Sequence, residues 1–588
     1  MEIKAEYIRD SGAVDKFREE ILTSPVLSID AETTGFDPLL CKPRLLQLAT
    51  GPERGFIFDC NHIKPGQLDW LKSKIADERT VKLFQNGKFD MKFLMHHFDW
   101  QHFPSVYDTY LASILIACGD SSVRHGLGVL AENFAGIELD KAQGASDWSS
   151  PELSREQLEY SMRDACVLFP IREKQNQFLN RLDLQRVALL EFDCIEAVAA
   201  LELKGIYLNR EHWQERLDTQ ASRKKELEAA TTEHFRDVMP VSLFGEIDID
   251  LDSPLKLAPA LRKLGVPLTG GTMEDELTPF ADKFPVIRDL LDYREMATAL
   301  KMFGPDYLGF INPADGRIHA DFKQIGTPTG RFTCSKPNLQ QVPKEDQYRE
   351  SFQAQEKRRS LIIADYSMIE LRIMADFSQD PKMCEAFRDG TDLHQYTGSH
   401  AFGLPLEAAA KGTEQRQLGK MLNFGTAYGA AARRFSAISG LPEKESGAAL
   451  GAFWSLYSVL DAYFKEAERR AVEENETHSF SGRTWRLDYD PTDRASIAAV
   501  ERLGRNFPIQ ATCSDIMKRA MYLMRNEFRE CDAGLVNVVH DESVSEVDDN
   551  ILDETEQIVS DCMLRAAEEV LTRVPAKVDI NVSKVWKK

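Results

Sequence analysis

The sequence predicts an α/β chain in two unlike halves, and three observations predict it. Short apolar runs broken by Gly, Pro and Asp turns fill roughly the first 180 residues, as successive strands do. From about Leu184 the apolar spacing turns helical. Beyond Gly304 strand-like and helix-like stretches alternate again.

The elements follow in order. PVLSIDAET, RLLQLAT and GFIFDC read as three consecutive strands, TVKLF as a further strand, and a helix starts near Lys88. Val187–Leu203 has apolar residues at helical spacing and stops at Gly205. The polar stretch Asn209–Glu233 reads as a long exposed helix, and its basic triplet Arg223, Lys224, Lys225 as a solvated face. Pro254–Gly271 is rich in Pro and Gly and reads as a loop. A helix-rich block runs from about Asp376 to Glu476, and mixed strands and helices follow.

Composition narrows the class. The 588 residues allow roughly three to five compact units. Acidic residues interrupt the stretch Val187–Ile206, and no apolar run reaches the ~20 residues that cross a bilayer. The N-terminus lacks the layout of a signal peptide, so a cytoplasmic location is expected, in a bacterium, a phage-infected cell or an organelle. The ten cysteines show neither CxxC pairs nor zinc spacing and read as reduced. A net charge of −22 argues against indiscriminate coating of nucleic acid, but not against a locally basic cleft, because screening confines charge effects to ~10 Å.

Two groups of residues carry chemistry. Asp30 and Glu32 end a buried strand and, two apart, face one side. Such a pair alone is common in turns. Two further segments change its weight: Asn86 and Asp90 lie one helical turn apart, and so do Tyr160 and Asp164. Four carboxylates among apolar runs are costly to bury without a positive partner. Two divalent cations, Mg²⁺ or Mn²⁺, suit these hard oxygen donors and the hydrolysis of a phosphodiester, with Tyr160 orienting the water.

In the second group, Asp365 follows the apolar strand SLIIA, while Asp541 and Glu542 occupy an acidic turn between two strands in LVNVVHDESVSEV. Between them Arg416, Lys420, Phe424 and Tyr428 recur every four residues, a slowly drifting stripe on one helix. Two cations followed by two aromatics suit a nucleotide's triphosphate and its base and sugar. Gly425 and Gly429 are expected to permit close backbone approach.

These residues carry two resemblances. D-x-E, N-x-x-x-D and Y-x-x-x-D in this order resemble the DEDDy 3′→5′ exonucleases, on a ribonuclease H-like domain. DYSMIELR, R-x-x-x-K-x-x-x-F-x-x-x-Y-G and VHDE resemble motif A, the fingers helix and motif C of the family A DNA polymerases, the bacterial polymerase I class. TGRFTCSKPNLQQVP and RNFPIQATCSDIMKRA resemble that family's primer-terminus segment and minor-groove helix. The resemblance implies an exonuclease domain over 1–183 and a right-hand polymerase over 184–588, with thumb about 206–305, palm about 306–375 and 490–588, and fingers about 376–489.

It also implies roles. Asp365 and Asp541 would bind two Mg²⁺ ions, with Glu542 a supporting acid; Asp30, Glu32, Asp90 and Asp164 would bind two more. Arg416, Lys420 and His394 would neutralise the triphosphate of a dNTP, and Lys420 could protonate the leaving group. Phe424 would pack on the incoming nucleotide, Tyr428 would lie near the templating base, and Glu370 would gate the sugar. Arg331, Arg502, Asn506, Gln510 and His540 would contact primer–template DNA. A monomer is expected, with any processivity partner unspecified.

Met368 stands where the family usually has Gln, TGRFTCS where it has TGRLSS, and DSPLKL where it has NSPKQL. The 5′-nuclease domain of full-length bacterial relatives has no counterpart here, which suggests a phage, plasmid or organelle enzyme or a shortened form. The alternatives are a 3′→5′ exonuclease with a non-polymerising DNA-binding half, a single-subunit RNA polymerase, and a non-enzymatic DNA-binding module. Intact Asp365, Asp541, Arg416 and Lys420 oppose the first, and Glu370 opposes the second. The clefts' carboxylates would repel phosphate without metals and so oppose the third.

Overall fold

The computed structural model describes residues 2–139 and 146–587. Its N-terminal sheet contains β1 (Lys4–Ile8), β2 (Val26–Thr33), β3 (Pro43–Gly51), β4 (Arg54–Asp59), β5 (Val81–Phe84) and β6 (Val106–Asp108), in the spatial order β1-β4-β3-β2-β5-β6. β2, β3 and β4 are joined antiparallel, and the remaining neighbours are parallel. The three expected strands and TVKLF are all present. β1 and β6 were not expected, because five and three residues are too few to display a period.

Helices α1 (Lys88–Phe98), α2 (Thr109–Ile116) and α3 (Arg155–Cys166) pack against this sheet or its neighbours. The expected helix after Leu184 is α4 (Gln185–Lys204), closed by Gly205 at φ 61°. It belongs to two cores. Val187, Phe192 and Ile195 pack in the N-terminal one, and Cys194, Val198 and Leu201 in the C-terminal one. The halves therefore meet across a shared helix.

The long polar helix is α5 (Arg210–Glu233), capped by Asn209, whose side chain accepts from the His212 N–H. It is less exposed than expected: Trp213 is fully buried and stacks on Tyr307 at 4.7 Å. The Pro/Gly-rich stretch is not all loop, because α6 spans Pro254–Lys263. Pro254 stands at the first helical turn, where a missing N–H costs nothing, and Leu257 and Leu261 bury themselves in a small separate core. That burial holds the helix despite the internal Pro259.

The C-terminal half is built on a four-stranded antiparallel sheet. Its strands are β7 (Arg359–Tyr366), β8 (Ala533–Val539), β9 (Glu542–Asp548) and β10 (Val578–Ser583), in the order β8-β9-β7-β10. Around it lie α7 (Ile369–Ser378), α8 (Leu393–Ala401), α9 (Glu414–Ala427) and the 35-residue α10 (Arg494–Phe528). Among the described residues no helix is long and apolar enough to cross a membrane.

Candidate active sites

β2 presents Asp30 and Glu32 opposite Gln47 and Leu45 of β3. Asp90, in the first turn of α1, reaches the same strand: its Oδ1 accepts from the Ala31 N–H at 3.1 Å, between the two acids. The entry into α1 is tightly determined. Asn86 takes φ 57°, and a Cβ on Gly87 would lie 2.4 Å from Phe84 Cβ. The Gly87 N–H donates to buried Asp108 at 2.7 Å, and Asp108 also caps α2 by accepting from the Leu111 N–H at 2.9 Å. Asp108 was missed in the sequence, although an Asp directly before an apolar helix is a capping signal. Burial pushes its carboxyl up to about 6.

α3 begins with a capping box of Ser154 and Gln157, and brings Tyr160 and Asp164 against β2 and β3. Burial raises the pKa values of Asp30, Glu32 and Asp90, and like charge adds to it for Glu32, from Asp30 and then Asp164, and for Asp90, from Asp30. Asp164 is pushed up to about 7 by burial and then by Asp30. Burial, followed by the charge of Asp164 and a hydrogen bond to it, also raises Tyr160. The four carboxylates of the first group therefore converge, and the charge of Asp30 disfavours ionisation of the other three. A hard divalent cation fits such an all-oxygen donor set. Among the described residues no three His, Cys, Asp or Glu side chains yet point at one ligating centre, so this is an acidic pocket rather than a preformed cage.

The second group also converges. Asp365 is the penultimate residue of β7 and pairs in register with Glu542 of β9. The Tyr366 N–H donates to the Asp541 carbonyl at 3.2 Å, so the two expected metal ligands lie at adjacent strand ends. Both are half-buried. His540, at φ 57°, makes the turn. Glu542 is engaged differently: it is 3 % exposed, accepts from Trp586 Nε1 at 2.8 Å, and lies 3.3 Å from Arg349 Nη1. It anchors the acidic turn to the C-terminal segment.

α9 is capped by Thr413 and carries Arg416, Lys420 and Phe424; Tyr428 is its C-cap residue. Arg416 Nε donates to Asp392 at 2.8 Å, and Asp392 also caps α8. His394 lies close to Arg416 and Lys420. The residue is 5 % exposed, and burial lowers its pKa to about 4, with Arg416 and Lys420 adding to the effect against Asp392. The ring is therefore neutral in the free protein at physiological pH. Asn423 Nδ2 lies 2.9 Å from its Nδ1, an arrangement that assigns the proton to Nε2.

The expectation for the glycines also shifts. Gly425 has ordinary van der Waals space, whereas a Cβ on Gly419 would lie 2.1 Å from the His394 carbonyl, and one on Gly398 would lie 2.3 Å from the Gln415 carbonyl. Close approach is needed where α8 crosses α9. Gly429 is instead required by its φ of 70°.

Glu370, in the first turn of α7, accepts from Arg331 Nη2 at 2.6 Å and from Tyr428 Oη at 3.2 Å. Three residues from three separate motifs thus meet at one carboxylate. Arg502, Asn506 and Gln510 form one stripe on α10, with Arg502 exposed. A cleft of about 760 Å³ opens beside Asn86 between the two halves and is lined by Lys88, Lys92, Arg124, Lys323 and Lys336, along with Phe36.

Residues 218–588 match the family described as DNA polymerase family A, and residues 5–180 match a 3′-5′ exonuclease family. DNA polymerase I of Aquifex aeolicus is 30% identical, over 99% of this chain and 99% of that one. DNA polymerase I of Pseudomonas aeruginosa is 28% identical over 100% of this chain, which spans 66% of that protein's length. The solved POL domain of Pol1 from M. smegmatis, in complex with DNA primer-template and dNTP, superposes with a TM-score of 0.84 at 24% identity, over 99% of each chain. That likeness is one of fold.

Proposed function

Because this chain belongs to DNA polymerase family A and joins to it a 3′-5′ exonuclease domain, we propose that its two acidic clefts divide the labour of template-directed synthesis with proofreading. The observation that carries the reading is that both sets of carboxylates, dispersed in sequence, converge into separate pockets. The exonuclease domain is assigned to 1–183 and the thumb, palm and fingers to 184–588, with α4 shared between them.

Both sites depend on divalent metal. Asp365 and Asp541 would hold it in one pocket, and Asp30, Glu32, Asp90 and Asp164 in the other, with Mg²⁺ the expected ion. When bound, it would acidify the attacking hydroxyl or water and stabilise charge on the phosphate. The chain's own residues do the rest. Arg416 and Lys420 supply positive charge along one face of α9 for the triphosphate of a dNTP. His394 donates a hydrogen bond from Nε2 as a neutral ring. Phe424, 5.7 Å from the His394 ring, offers an apolar face to sugar and base. Glu370 occupies the space where a ribose 2′-hydroxyl would enter, and Arg331 and the α10 stripe take the primer–template minor groove. In the editing pocket Tyr160, beside Asp164, orients the water. A monomer in complex with primer–template DNA is the expected working form.

Separation of the activities tests this reading. Asp365→Asn or Asp541→Asn is expected to abolish primer extension while single strands are still digested, and Asp30→Ala with Glu32→Ala to do the reverse. Extension surviving either first change at more than a hundredth of the parent rate, about 3 kcal/mol of barrier, would remove that site's assignment.

A further inference from the structure

Beneath the loop that carries Arg331 lie four buried charges from three distant segments. Glu191 comes from α4, Arg483 from the turn before the short strand Thr484–Arg486, and Asp515 and Lys518 from α10. None is more than 4 % exposed. Arg483 Nη2 and Nε both donate to Asp515 Oδ1, at 2.6 and 3.1 Å, and Nη2 also meets Glu191. Lys518 Nζ donates to the same Glu191 oxygen at 2.5 Å. The remaining acceptors are filled: Gln324 Nε2 donates to Glu191 Oε2 at 2.5 Å, and the Ser479 and Ser481 hydroxyls to Asp515 Oδ2 at 2.7 and 2.5 Å. Two anions and two cations balance. The pKa of Glu191 stays below its usual range although burial alone would raise it, because Lys518 and Arg483 face it.

Ion networks of this kind are seldom the most stable way to fill a core, since well-packed apolar residues of the same volume do as well or better. What this one adds is fixed geometry, and its geometry has a target. The two cations bear on the two residues that flank Arg331. A Cβ on Gly330 would lie 2.5 Å from both Cζ and Nε of Arg483, so the loop backbone rests directly on the guanidinium. Gly330 is further required by its φ of 77°. On the other side Lys518 Nζ lies 5.3 Å from the centroid of the Phe332 ring, a cation–π contact in a desolvated setting. Held at both neighbours, Arg331 projects towards Glu370, which it meets at 2.6 Å.

We propose that Glu191, Arg483, Asp515 and Lys518 form a positioning network that sets Arg331 at the primer terminus. The inference rests on the reading of Arg331 as a primer contact. The network touches no substrate, so it acts only through the loop. A displacement of the guanidinium by about 1 Å is enough to lower the rate of a step that depends on alignment. Glu191 also ties the loop to α4, the helix that both halves share.

Single-turnover extension of a matched primer, well below the melting temperature, tests it in the full chain. Asp515→Asn and Glu191→Gln are each expected to slow extension roughly tenfold, with the dNTP KM changed less than about twofold, and to leave single-strand digestion unaltered. Arg331→Ala is expected to slow extension at least as much. Combined with Arg331→Ala, Asp515→Asn should cause no further loss, because the network has nothing left to position. Losses that multiply in the double variant, or parent-like extension by the network variants, overturn the network. Parent-like extension by Arg331→Ala overturns instead the primer-terminus reading beneath it. If Asp515→Asn fails to fold, Ser479→Ala with Ser481→Ala removes two hydrogen bonds to the same carboxylate and keeps every charge; the same non-additivity is required of it.

Discussion

Replacing Asp164 by Asn is expected to stabilise the metal-free protein at pH 8 while abolishing editing. The amide has the carboxylate's size and keeps an oxygen to accept from Tyr160, so charge is the main loss. In the folded chain burial and then Asp30 raise this carboxyl from 3.8 to about 7. Below pH ~4 both folded and unfolded chains are protonated there, and the site costs nothing. As pH rises from ~4 to ~7 the unfolded chain ionises first, and folding loses about 1.4 kcal/mol per pH unit. Above ~7 both states are ionised and the penalty is constant. The full shift corresponds to about 4 kcal/mol, and the side chain is only half-buried, so solvent screening reduces the expected gain to about 2 kcal/mol.

Denaturant unfolding of parent and variant in EDTA, from pH 5 to pH 8, measures this difference. The variant's advantage should grow with pH. Saturating Mg²⁺ should then stabilise the parent more than the variant, because binding to the folded state alone adds stability. A variant less stable than the parent at pH 8 in EDTA, or an advantage that ignores pH, would refute the argument that burial, aided by Asp30, penalises the charge of Asp164.

Other consequences follow from individual contacts. Glu370→Ala removes the acceptor shared by Arg331 and Tyr428 and opens space at the sugar; ribonucleotide incorporation relative to deoxyribonucleotide should rise by at least roughly tenfold, and unchanged kcat/KM ratios would count against the gate. Asn423→Leu leaves the buried His394 Nδ1 without its donor, at a cost of about 1–3 kcal/mol, and should raise the dNTP KM more than it alters single-strand digestion. Asp108→Ala removes the cap of α2 and the acceptor for the Gly87 N–H, and so should lower digestion far more than extension by loosening the approach of Asp90; equal losses in both assays would point to general unfolding.

Much of this molecule is legible along the chain because its signals are local. The spacing of Asp30 and Glu32 on a strand, the four-residue stripe from Arg416 to Phe424 and the acidic turn at Asp541 all follow from the periods of strand and helix. Those periods place side chains on faces without reference to anything distant. Short strands escape this reading because they are over before a period repeats. Pro254 misled it because a proline that breaks a helix interior is harmless in the first turn.

Only the tertiary structure decided the burial of His394 against Asn423, the shared carboxylate of Glu370, and the four-charge network under Arg331. Each depends on burial and on partners tens to hundreds of residues away. Glu191 and Lys518 are 327 residues apart in sequence and 2.5 Å apart in space. A charge in water is cheap and says little about its surroundings, whereas the same charge in a core is tolerated only if a counter-charge arrives from elsewhere in the fold. The chain's local periods therefore announce which residues can do chemistry, and packing alone determines what charge and what geometry they bring to it.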